Sequence, residues 1–164
     1  MVLGSRMLDR NRLSKKALIA CVALPLTAFA VWSVLTMQNA SRTGFIMHAF
    51  SVSIGQFAAE HNDILPDLTN ISSLETQIFQ YSGNPEKGKR ILYRPSTNIP
   101  YITNARYSKM KTSLLPTDKE IVLVYEAMPT HGKRNVICWY SGSTKTTLVD
   151  DQRWARLKLD SGIQ

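Results

Sequence analysis

The chain has 164 residues, 44% hydrophobic and 20% charged, with 20 Lys and Arg against 12 Asp and Glu for a net charge of +8. That content excludes wholesale disorder, and residues 41–164 suffice for one domain but not for a large two-domain enzyme. Half of the positive excess precedes Ala17 (Arg6, Arg10, Arg12, Lys15 and Lys16 against Asp9), so the remainder is only mildly basic and argues against a nucleic-acid partner. The two cysteines, Cys21 and Cys138, make neither a disulfide framework nor a zinc cluster; each reads as a buried thiol.

Residues 17–37 (ALIACVALPLTAFAVWSVLTM) carry no charge. A helix of this length spans about 31 Å, close to the hydrocarbon thickness of a bilayer. Pro25 is tolerated in a membrane helix, and Trp32 suits the interface. The preceding basic cluster predicts that residues 1–16 stay cytoplasmic and that the domain 41–164 lies outside. A cleaved signal peptide with Ala28-Phe29-Ala30 as its processing site is the competing reading, and a buried core helix is a third.

Beyond the anchor, Ile46, Phe50, Ile54 and Phe57 form an i, i+4, i+8, i+11 stripe, with Met47, Ala58 and His61 beside it. This predicts an amphipathic helix, ended by Leu65-Pro66 and packed on the domain behind it. His48 and His61 read as helix-surface residues. Ser72-x-x-Glu75 has the form of a capping box for a second helix near 71–81. Lys87, Lys89, Arg90 and Arg94 read as a solvated loop, with contact to an anionic surface as the alternative. Ile91-Leu92-Tyr93 is a short strand candidate stopped by Pro95, and 100–107 holds a second extended piece. Glu120–Glu126 (EIVLVYE), Asn135–Tyr140 (NVICWY) and Thr144–Val149 follow as strands joined by turns at 128–132 and 141–142, an antiparallel meander. Trp139 and Tyr140 face opposite ways, one toward the core. Asp150 or Asp151 caps a last helix carrying Trp154 and Leu157.

Neither a nucleophile elbow, a zinc-protease helix, a phosphate-cradling loop nor a Cys-x-x-Cys pair occurs. His131 reads as a turn residue rather than a general base, and Asp150-Asp151 as a cap rather than a cation site. Asn39 and Asn70 lie in glycosylation sequons. No catalytic, cofactor-binding or metal-ligating residue is expected.

The order of these features resembles the pilin-like, type II secretion pseudopilin-like proteins of the planctomycete type. Their C-terminal region carries a prepilin-type H-x9-D-G signature, and here His131 is followed after nine residues by Ser141-Gly142. Glu126-x4-His131-Gly132 leading into Asn135-Val136-Ile137 is similar to the family's strand, turn and next strand. Ala58-Ala59-Glu60-His61-Asn62-Asp63-x-Leu65-Pro66 is similar to its helix end. The chain departs from prepilins where Lys16 replaces the Gly before the processing site and Cys21 replaces the Glu at the fifth mature position. The resemblance implies an α+β fold, a long transmembrane and amphipathic helix packed on an antiparallel sheet of three to four strands. His131, Gly132, Asn135, Ser141 and Gly142 would be structural turn residues. It implies a non-enzymatic single-pass protein of the bacterial inner membrane with a periplasmic domain, whose partners are the lipid bilayer and other envelope or secretion-system proteins. The alternative is a lone anchored binding module that reuses the fold without filament assembly.

Overall fold

The computed structural model describes residues 43–82, 94 and 97–164, all within one unit, Ser41–Gln164. The expected anchor 17–37, residues 1–16, Cys21, Lys87, Lys89, Arg90 and the expected strand 91–93 lie outside the described residues. No helix among the described residues is long and apolar enough to cross a membrane.

Residues 43–60 are helical (α1). Its Met47, Phe50, Ile54, Phe57 and Ala58 are buried, and Ile46 packs against them at the rim. His48 and His61 are exposed; the His61 ring stacks on Phe57 at 3.9 Å. The helix ends before Leu65-Pro66, contrary to the sequence expectation. Asn62 and Asp63 both adopt the left-handed conformation (φ 55° and 59°), and the Asp63 N–H donates to the Ala58 carbonyl at 2.9 Å. Asn62 thus takes the place glycine usually holds after a helix, because its short polar side chain lowers the cost of positive φ.

The second helix, α2 (Ile71–Ile78), runs into a 3₁₀ turn, Phe79–Ser82. Its cap is Asn70, whose side chain accepts from the Ser73 N–H at 2.9 Å, and not the expected Ser72. The connector before it is extended, with Leu65, Pro66 and Leu68 buried around Asp67. The Asp67 carboxylate accepts from the Thr69 hydroxyl (2.6 Å), the Thr69 N–H (2.9 Å) and the Ser108 hydroxyl (2.9 Å), and lies 3.1 Å from Lys109 Nζ. These contacts, the Thr69 hydroxyl foremost, hold its carboxyl well below the usual carboxylate range. A depressed pKa contributes stability above the unfolded-state value that is lost as pH falls through the folded one. The thermal midpoint is therefore expected to hold from about pH 7 to about 5 and to fall below about pH 4. Asp67→Asn should flatten that acid limb; an unchanged limb in calorimetry would show that Asp67 is not its source.

Among the described residues four strands follow: β1 (Ile102–Thr103), β2 (Ile121–Tyr125), β3 (Lys133–Tyr140) and β4 (Ser143–Asp150). They form one antiparallel sheet in the order β1-β2-β3-β4. The expected extended piece at 100–107 supplies only the two residues of β1 and then turns into a 3₁₀ segment, Ala105–Tyr107. The last helix, α3 (Asp151–Ser161), is capped by Asp150, which accepts from the Arg153 N–H at 2.8 Å. It closes at Gly162 (φ 64°), with Gly162 and Ile163 N–H bonding back to Leu159 and Lys158.

The sheet is covered on both faces. Ile121, Leu123, Val124, Ile137 and Trp139 share one core with the apolar faces of α1 and α2. Val122, Val136, Cys138 and Val149 form the other core with Leu157, Trp154 and Ile163 of the α3 region. Burial pushes the Cys138 thiol up to about 12, as an inert thiol requires. Trp139 is buried and Tyr140 exposed, as alternation predicts.

Alternation breaks once. The β2–β3 register shifts between Val122 and Val124, so Leu123 is an extra residue and Leu123 and Val124 both turn toward α1. A bulge leaves main-chain groups without ladder partners, and two side chains supply them. Ser161 Oγ accepts from the Val122 N–H at 2.8 Å, and Asn104 Nδ2 donates to the Val122 carbonyl (3.0 Å) and the Ser161 carbonyl (3.1 Å). Both side chains are buried. The end of α3 is thereby stapled to the irregular point of the sheet.

Candidate functional site

The residues singled out in the sequence fall on the β2–β3–β4 meander. His131 (φ 50°) and Gly132 (φ 69°) are the central pair of a two-residue hairpin closed by Thr130 and Lys133, whose N–H and C=O groups bond reciprocally at 2.7 and 3.0 Å. Ser141 (φ 49°) and Gly142 (φ 83°) repeat that arrangement between β3 and β4. Positive φ at both central positions is the type I′ turn, whose twist matches antiparallel strands. The nine-residue spacing after His131 is therefore Gly132 followed by the eight residues of β3. The two turns sit at opposite ends of that strand, about 27 Å apart, and cannot form one site. His131, Gly132, Ser141 and Gly142 are all exposed.

The fifth motif residue, Asn135, belongs to a different feature. Its backbone N–H (2.8 Å) and Nδ2 (3.1 Å) both donate to Oε2 of Glu126. Glu126 is 2% exposed. The bulge at Leu123 decides this placement: strict alternation from Ile121 would turn Glu126 to the α3 face, and the extra residue turns it to the α1 face instead.

Arg94 completes the pair. Its Nε lies 3.6 Å from Glu126 Oε1, Nη2 donates to the Thr130 hydroxyl, and Nη1 reaches the Met128 carbonyl at 3.4 Å. At 14% side-chain exposure Arg94 is docked, not solvated as the sequence reading had it. A burial penalty on Glu126 is thus offset by one charge partner and two N–H donors. Tyr101, 2% exposed, brings its hydroxyl to the same recess, where burial and then the Glu126 charge raise its pKa. Tyr101 Oη, Glu126 Oε1 and Arg94 Nε are buried without a hydrogen-bond partner among the described residues. Ile99, Pro100, Ala127 and Met128 close the recess.

On the opposite face Arg134 stacks over the Trp154 ring at 4.7 Å and donates Nη1 to the Glu126 and Ala127 carbonyls. Trp154 also meets Tyr125 at 4.9 Å between ring centroids. The strand end at Glu126 is therefore gripped from both faces by one arginine each.

The arrangement fixes the end of β2 and the hairpin that follows it, and the Tyr101 hydroxyl and Glu126 Oε1 share the recess without a hydrogen bond between them. Among the described residues no three His, Cys, Asp or Glu side chains gather as a metal site. Nothing in the sequence brings Glu126, Arg94 and Tyr101 together. The one local sign of the cluster is a glutamate closing an otherwise apolar strand.

Comparison with protein-family models, curated proteins and solved structures gives no match.

Proposed function

We propose that the chain is a non-enzymatic, membrane-anchored scaffold of the pseudopilin-like kind, whose domain 41–164 stands outside the bacterial inner membrane and contacts other envelope or secretion-system proteins. The single observation that supports it most is the eight-residue strand between two type I′ turns, His131-Gly132 and Ser141-Gly142, in a helix-then-meander order. The uncharged 17–37 segment behind a basic N-terminus supports the anchor. A surface with turns at both ends and its polar cluster turned inward suits contact better than chemistry.

A second reading, a lone anchored binding module, draws on Lys16 and Cys21, which replace the Gly and Glu that prepilins carry. The two separate in native membranes. The scaffold reading expects the chain in the membrane fraction and chemical crosslinks to other membrane proteins. A chain that stays in the membrane but yields no crosslinked partner would favour the lone module. An intact mass lacking residues 1–30, in a soluble fraction, would overturn the anchor in both.

A further inference from the structure

The sheet has two unequal edges. β1 is two residues long and turns directly into the 3₁₀ segment at Ala105, so it offers almost no template. β4 is eight residues long and pairs with β3 over its whole length without a register shift. Ser143 closes the type I′ hairpin opposite Tyr140, so the N–H and C=O groups of Ser143, Lys145, Thr147 and Val149 point at β3. Those of Thr144, Thr146 and Leu148 point outward, and no strand or backbone group among the described residues bonds them.

Two of the usual protections of an exposed edge, proline and a bulge, are missing here, and the third, a lysine, is engaged away from the edge. β4 contains no proline and no bulge. Its one interior charge, Lys145, is drawn to the α3 face by an ion pair with Glu120, and its ammonium lies 4.6 Å from the Tyr140 ring centroid. Leu148 is 52% exposed. Val52 of α1, beside the Ser51 whose carbonyl accepts from the Thr144 hydroxyl, is 44% exposed.

We propose that the outer edge of β4 pairs antiparallel with β4 of a second copy of this chain, making a continuous eight-stranded sheet across a two-fold axis near Thr146 and Thr147. A second copy fits because the outward positions Thr144, Thr146 and Leu148 are uncharged, so setting the strand against itself brings no like charges opposite one another. With the axis at Thr146, Thr146 faces its own copy and Thr144 faces Leu148; with it at Thr147, Thr146 faces Leu148. Either register bonds outward groups to outward groups and covers the exposed Leu148.

The test is the mass of the purified full-length chain in detergent at tens of micromolar, by sedimentation or light scattering corrected for detergent. The wild type should show a protein mass about twice that of one chain. Thr146→Pro removes an outward N–H without touching the β3 ladder, and Leu148→Lys places a charge on the edge. Both should give the single-chain mass with an unchanged far-ultraviolet spectrum; Leu148→Lys, at an exposed position, keeps the test valid if the proline variant does not fold. A monomeric wild type overturns the proposal. So does a dimer that persists in Leu148→Lys, which would place self-association elsewhere in the chain.

Discussion

Glu126→Ala is expected to destabilise the full-length chain by about 3–5 kcal/mol, the usual cost of removing one partner from a buried ion pair. The change orphans the Asn135 N–H and Nδ2, which among the described residues bond to Glu126 Oε2 alone. It also leaves Arg94, 14% exposed, beside the buried Tyr101 hydroxyl with no countercharge among the described residues. Glu126→Gln separates the two contributions. It keeps an acceptor for Asn135 and loses only the charge, so a smaller loss of about 1–3 kcal/mol is expected. Chemical denaturation followed by tryptophan fluorescence reports both. In a double-mutant cycle, Arg94→Met should cost much less in the Glu126→Ala background than in the wild type. A loss below about 1 kcal/mol for Glu126→Ala would show that the carboxylate is not an organising contact.

Asn104→Ala is expected to cost about 2–4 kcal/mol, because it leaves two buried carbonyls, Val122 and Ser161, without their donor. Ser161→Ala orphans the Val122 N–H and should cost about 1–3 kcal/mol. The two residues serve one bulge, so their effects should not add: the double variant should lose less than the sum of the single losses. Additive losses in equilibrium unfolding would mean that the staple is two independent contacts. Hydrogen exchange gives a second readout, since the Val122 amide should lose protection in Ser161→Ala while the β3–β4 ladder keeps its own.

Both effects arise where the sequence was least legible. IVLVY is apolar at every position but its last, so nothing in it marks which residue is the extra one. The bulge is a property of the pairing of β2 with β3, and it sends Glu126 to the α1 face and the Val122 main chain to the end of α3. Arg94 reads as a solvated loop cation in the sequence because its partner, Glu126, lies 32 residues away. Ser72 has the form of a cap in the sequence, but Asn70 is the residue that leaves the helical conformation and accepts from the Ser73 N–H.

What the amino-acid order determined by itself is the local part. The stripe from Phe50 to Phe57, the strand cores at 121–125, 136–139 and 144–149, the Asp150 cap and both turns follow from periodicity and from positive-φ residues that act within a few positions. The α+β class and the antiparallel meander follow from their order. Tertiary structure alone decided that α3 covers the second face of the sheet, that Asn104 and Ser161 close the bulge, and that Glu126 is buried on Arg94 and Asn135. The physical reason is common to all three: a main-chain or carboxylate group taken out of water must find a partner. Which partner it finds depends on distances through space that local sequence does not encode.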